Sequence, residues 1–183
     1  ADTWAHRVQH FTAAGEFLDE WGRFGEFQVG DPEGQGAFYG PRSVAVGPEG
    51  AVYVADTGNK RIQVFDADGT FLREFGGGGT APGQLDEPVG LAFTPEGRLV
   101  VADSWNFRIQ VLEPDGQPVH SWSVEGWDNV DVEEKPYVAV DDQGQVFVTD
   151  PGNYRVWVFD SQGNYLRGFG RYGSDASSFG LPM

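Results

Sequence analysis

The 183-residue chain has no cysteine. Disulfides, thiolate metal sites and thiol nucleophiles are therefore excluded, while the compartment stays open. Histidine is scarce too, with only His6, His10 and His120. A zinc site needs converging His or carboxylate ligands, and these three are scattered. No serine has a histidine in register for a Ser/His/Asp triad. No apolar run approaches the roughly 18–20 residues of a membrane-spanning helix. Positive charge is also thin, with 12 Lys and Arg against 28 Asp and Glu, a net charge of −16. Such a surface repels phosphate backbones and anionic lipid, which argues against nucleic-acid and membrane partners. No secretory pattern follows Ala1, so targeting is unreadable and the localisation unknown.

Glycine and aromatic residues are abundant. There are 27 glycines, about twice the usual share of roughly 7%. Aromatics make up 14% and hydrophobic residues 39%, which excludes a disordered chain. A chain of this size can bury roughly 70% of its unfolded surface, enough for a core. Much glycine with many aromatics points to short strands and tight turns.

One sentence is written four times. ADTGNKRIQVFDADGTFLREFG at 55–76 recurs as ADSWNFRIQVLEPDGQPVHSWS at 102–123 and as TDPGNYRVWVFDSQGNYLRGFG at 149–170. ADTWAHRVQHFTAAGEFLDEWG at 1–22 is the fourth copy. Asp2, Asp56, Asp103 and Asp150 are spaced by 54, 47 and 47 residues, and Arg7, Arg61, Arg108 and Arg155 keep the same spacing. Seven extra residues therefore lie within 22–41. Each full repeat reads as four strand-sized runs, a to d, separated by Gly, Asn, Asp and Pro turns, an antiparallel meander. Many runs are apolar on nearly every residue, which suits a sheet covered on both faces.

A four-stranded meander repeating every 47 residues predicts an all-β fold of β-propeller blades, where the period is roughly 40–50. Three complete blades are expected at 42–76, 88–123 and 136–170, with strand a innermost. A half-blade is expected at 1–22 and the start of another repeat at 179–183. On this phase the chain is one propeller segment, an open arc cut from a longer ring. Its open blade edges invite self-association.

The run VYVADTGNKRIQVFDADG (52–69), with PGQLDEPVGLA (82–92) upstream, resembles the NHL repeat. The resemblance implies a propeller, commonly six-bladed. It implies no single activity, since such propellers include scaffolds, sensor domains, RNA binders and a metal-dependent lyase. FGGGGTAPGQL (75–85), VEGW (124–127) and KPYVAV (135–140) further resemble the extracytoplasmic propeller of large bacterial glycosyltransferase-type membrane proteins. That similarity implies a bacterial, extracytoplasmic setting. Two departures stand out. Ala5 replaces Asn59, Asn106 and Asn153, and asparagine tolerates a left-handed backbone better than alanine, so the first turn is expected to be strained or reshaped. Trp4 and Trp105 occupy the slot of Gly58, so that glycine is not required for the turn.

Asp2/Arg7, Asp56/Arg61, Asp103/Arg108 and Asp150/Arg155 flank the b-to-c turns. Their recurrence in every copy marks structural pairs, because a catalytic pair is needed once. Asp128, Asp131, Glu133 and Glu134 read as a solvated acidic stretch within the 125–135 loop; weak cation binding is the alternative, although their spacing is not that of a calcium loop. The d-to-a crossovers 22–41, 76–87 and 123–135 carry net charges of −2, −2 and −4. Aromatics share that face: Trp4, Trp105, Phe107 and Tyr154 in turns, and Phe24, Phe27, Phe38, Tyr39 and Trp127 in crossovers. Trp21, Trp122 and Trp157 read as packing residues within strands. The expected ligand-binding set is Trp4, Tyr39, Trp105, Phe107, Trp127 and Tyr154, suited to a protein or a glycan. The functional expectation is a non-catalytic binding or scaffold propeller with no cofactor and no metal. The alternative is part of a propeller lyase or hydrolase whose catalytic residues lie in other blades.

Overall fold

The computed structural model describes residues 1–127 and 135–180. Asp128, Asp131, Glu133 and Glu134, and the end of the repeat start at 179–183, lie outside the described residues. The fold is all-β, with short 3-10 turns and no α-helix among the described residues. The chain forms two compact units, Ala1–Pro88 and Val89–Met183.

In the first unit β1 (Val8–Phe11) and β2 (Phe17–Trp21) form an antiparallel hairpin. β3 (Arg23–Phe24) and β4 (Ala37–Phe38) follow, then a sheet in the order β5 (Ser43–Val46), β6 (Val52–Asp56), β7 (Arg61–Phe65) and β8 (Phe71–Gly76). The second unit holds the sheet β9 (Pro88–Phe93), β10 (Leu99–Asp103), β11 (Arg108–Leu112) and β12 (Pro118–Ser123), whose first residue belongs to the first unit. It also holds the sheet β13 (Val138–Val140), β14 (Val146–Asp150), β15 (Arg155–Phe159) and β16 (Tyr165–Phe169). The three four-stranded sheets are antiparallel meanders.

The middle strands carry the apolar runs: every residue of β6, β7 and β10 is buried, whereas every residue of β16 is exposed. Each outer ladder shifts register at the same repeat position, His10/Phe11, Val64/Phe65, Val111/Leu112 and Val158/Phe159. Such bulges add twist. The hairpin beyond the bulge is closed by a carboxylate in two sheets and by the Thr12 hydroxyl, which accepts the Glu16 amide, in the first hairpin. Asp66 accepts the amides of Asp68 and Thr70, and Asp160 those of Gln162 and Asn164.

Packing between neighbouring sheets repeats within each unit. The Trp21 ring lies 5.9 Å from Phe65, and the Trp122 ring 5.6 Å from Phe159. Each indole also lies flat on a hairpin glycine. A Cβ at Gly69 would come within 2.7 Å of Trp21, and one at Gly163 within 2.5 Å of Trp122. Both glycines also have positive φ, so the site selects glycine twice over. In the second unit β9 and β13 approach so closely that a Cβ at Gly90 would lie 2.6 Å from the Val138 amide nitrogen.

One feature departs from the all-antiparallel expectation. β3 and β4 pair in parallel, Arg23 with Ala37 and Phe24 with Phe38. This two-residue ladder ties off a crossover and belongs to no blade. Single parallel bridges, Gly78 to Leu85 and Tyr172 to Phe179, stand at the matching places of later repeats. The later bridges close seven-residue separations and the first closes fourteen, so the seven-residue insertion falls within 25–37.

Candidate functional site

The b-to-c turns and the crossovers carry nearly all the chemistry that the sequence singles out. Each turn is organised by one buried aspartate. The Asp56 carboxylate accepts from Asn59 Nδ2 (2.9 Å), Arg61 Nε (2.8 Å), Gln63 Nε2 (3.1 Å) and the Tyr39 amide (2.7 Å). Asp103 accepts from Asn106 Nδ2, Arg108 Nε and Gln110 Nε2. Asp150 accepts from Asn153 Nδ2, Arg155 Nε and, in the glutamine's place, Trp157 Nε1 at 3.0 Å. Asp2 accepts from Arg7 Nε and the Ala5 amide. The third donor was missed in the sequence. Its signal was available: Asp56 pairs with Arg61 across β6 and β7, and Gln63 sits two residues on, on the same face.

The Ala5 expectation needs correction. The left-handed residue is the one after the asparagine: His6, Lys60, Phe107 and Tyr154, with φ of 54 to 55°. Alanine at position 5 therefore forfeits a donor to the aspartate and incurs no backbone strain. Gly58 also has a role beyond the turn. Its φ is not positive, yet a Cβ there would collide with the Tyr39 ring and carbonyl.

The insertion 25–37 covers the turn of its own unit. Arg61 Nη2 donates to the Gly34 and Ala37 carbonyls, and its Nη1 to Glu74 at 2.6 Å. Asn59 donates to the Gly25 carbonyl and accepts from the Phe27 amide. Gln63 accepts from the Gly36 amide, and Glu74 from the Gly30 amide. Arginine exposure consequently runs from 0% at Arg61 through 14% at Arg108 and 32% at Arg155 to 35% at Arg7. Burial pushes the Asp56 carboxyl above its ordinary range, against the pull of the Tyr39 amide, Asn59 and Arg61. A cleft of about 590 Å³ lies beside the insertion, lined by Glu26, Gln28, Val29, Lys60, Gly77 and Gln84 among others. Lys60 is held by Asp86 at 2.8 Å.

The aromatic set divides. Trp4 is almost fully exposed, and Tyr39 and Phe24 are exposed with their rings edge-on, 5.9 Å apart, beside His6. Trp105 and Phe107 are 44% and 39% exposed, and the Lys135 ammonium stands 5.9 Å from the Trp105 ring. Tyr154 is half-buried edge-on against Tyr172. Trp127 contradicts the expectation: it is fully buried in the apolar cluster with Val100, Ile109, Val124 and Val148, where no ligand can stack on it. Phe38 is also fully buried. Among the described residues, no three His, Asp or Glu side chains are grouped to hold a metal ion.

Comparison with known proteins follows the repeat. The NHL repeat family matches residues 38–65, 85–112 and 138–159. Protein brain tumor of Drosophila melanogaster is 47% identical over 66 residues, 36% of this chain and 6% of that protein. RING finger protein nhl-1 of Caenorhabditis elegans is 46% identical over 50 residues, 27% of this chain and 5% of that protein. Among solved structures, a catalytically inactive virginiamycin B lyase from Staphylococcus aureus with quinupristin aligns with a TM-score of 0.63 at 15% identity. That alignment covers 95% of this chain and 51% of the lyase. A gluconolactonase from Xanthomonas campestris aligns at 0.61 and 22% identity, covering 90% of this chain and 55% of that one. These two likenesses show the fold. The chain thus spans about half of the solved structures and a small part of the curated relatives.

Proposed function

Starting from a chain that carries NHL repeats on a β-propeller fold, we propose that it is a non-catalytic binding module whose ligand, a protein or a glycan, docks on the face of the b-to-c turns. The observation that carries this reading is the exposure of Trp105 and Phe107 in a turn whose repeat demands neither. The same slots hold Gly58 and Lys60 in the preceding copy and Gly152 and Tyr154 in the following one. Large aromatics left in water beside an acidic surface supply flat apolar area for a sugar ring or a partner's side chain. The negative crossovers favour hydroxyl-rich or cationic ligands and disfavour phosphate. The extracytoplasmic setting rests on sequence resemblance alone. The lyase or hydrolase alternative draws support only from similar folds, which carry many activities.

The test is a glycan and peptide screen with the wild type and Trp105→Ala at two salt concentrations. Trp105→Ala is expected to weaken binding at least about tenfold, about 1.4 kcal/mol, with melting unchanged. Binding that survives the substitution would refute the site, and tight, salt-sensitive RNA binding would refute the ligand class.

A further inference from the structure

The two sheets of the second unit leave part of their seam open. A cleft of about 450 Å³ lies where the end of β12 meets β15 and β16, lined by Ser123, Glu125, Trp157, Phe159 and Tyr165 among others. That volume falls within the roughly 300–1,000 Å³ of small-molecule sites. Side chains alternate along a strand, so Trp157 and Phe159 share one face of β15, the face on which Trp122 packs. Tyr165 pairs with Phe159 across the ladder. The cleft therefore sits between two sheets already in contact, and neither end of the chain bears on it.

Its walls are aromatic and its charge is negative. The Tyr165 ring stands 5.3 Å from Trp157 at 78° and 6.3 Å from Phe159 at 73°, so the rings meet as a corner. Glu125 carries the only charge among the described lining residues. Its exposed carboxylate has no hydrogen-bond or ion-pair partner among the described residues. The indole already attracts a cation: the Arg155 guanidinium carbon lies 3.9 Å from the ring centroid, with Asp150 compensating that charge. Angled aromatic faces beside a free carboxylate suit a methylated ammonium, which is charged yet donates no hydrogen bond. Few polar groups line the cleft, which disfavours a sugar, whose hydroxyls each need a partner.

The repeat does not demand these residues. At the matching seam of the first unit the places of Ser123, Glu125, Trp157 and Tyr165 hold Gly22, Phe24, Gln63 and Phe71. There Gln63 is fully buried and donates to the Ala37 carbonyl at the end of the insertion. Gln63 faces Glu74 across its ladder, whereas Trp157 faces Gly168. A Cβ at Gly168 would already lie 3.4 Å from the indole, so glycine leaves room for the larger ring. We propose that this seam binds a trimethylammonium group, the head of choline or of a methylated lysine. The methyls fill the corner of Trp157 and Tyr165, and the charge faces Glu125.

Calorimetric titration of the 183-residue chain tests this, with tetramethylammonium and with tert-butanol, a neutral molecule of similar shape. Tetramethylammonium should bind, more weakly as salt rises, and tert-butanol should not. Choline and trimethyl-lysine amide separate the two sources of the head, the tighter binder naming which it is. Glu125→Gln and Tyr165→Ala should each weaken binding at least about threefold, with strand circular dichroism unchanged. Should Tyr165→Ala lose that signal, Tyr165→Leu keeps the bulk and removes the aromatic face. Equal binding of tert-butanol, no binding of any of the three ammonium compounds, or undiminished binding by the folded variants would each overturn the proposal. Tighter binding of methyl glucoside than of choline would overturn it too, by marking a sugar site.

Discussion

The turn at Asp2–Arg7 and the turn at Asp56–Arg61 are written with nearly the same residues and live in different surroundings. Both pair aspartate with arginine Nε, at 3.1 and 2.8 Å, and both place a left-handed residue just before the arginine. At the second turn neither partner touches solvent, and three further side-chain or amide donors converge on the carboxylate. At the first, both partners are about one-third exposed. The motif therefore fixes the shape of the turn, and the crossover laid over it fixes how much the charges are worth. A buried pair that loses one partner leaves an uncompensated charge, whereas an exposed pair exchanges its partner for water.

The largest expected effect breaks that contrast directly. Arg61→Ala should destabilise the protein by about 3–5 kcal/mol, since it leaves Asp56 and Glu74 without their guanidinium and the Gly34 carbonyl without that donor. Arg7→Ala should change the melting temperature far less. Equal losses in denaturant unfolding would show that the insertion over Arg61 adds nothing.

A smaller gain is expected from making the poor turn resemble the rich one. Ala5→Asn restores the donor that Asn59 supplies to Asp56. Because position 5 is not the left-handed residue, the change should raise stability by up to about 1 kcal/mol. A loss would mean that the first turn has a different backbone requirement. The smallest effect is a titration. Asp56, pushed up by burial, favours folding below the ordinary carboxylate range and loses that contribution as pH rises through its folded value. Asp160, held down by the Asn164 side chain and amide, contributes above that range and loses its contribution as pH falls. Carboxyl NMR should place the Asp56 midpoint above that of Asp160, and the reverse order would contradict the contrast.

The sheets and their turns were legible because a repeated sequence reports its own register. Spacing between Asp and Arg anchors located each b-to-c turn, and the 54-residue interval announced an insertion. Which residues face the Asp carboxylate was only partly legible, because Gln63 and Trp157 look like ordinary strand residues until the two strands are paired. Trp127 and Trp105 show the limit. Both are tryptophans outside the strands of one repeat, one in a crossover and one in a turn, yet one is core and the other surface. Loop aromatics lack the period that tells a strand residue which way it points.

The parallel bridges at Phe24–Phe38, Gly78–Leu85 and Tyr172–Phe179 also have a use in engineering. The one between Phe24 and Phe38 holds thirteen residues where Gly78–Leu85 and Tyr172–Phe179 hold six, with parallel pairing in every case. Doubling a closed loop adds only about 0.6 kcal/mol of closure entropy. Residues 79–84 and 173–178 are therefore natural grafting points, where a recognition peptide of comparable length could be installed without disturbing the strands that carry it.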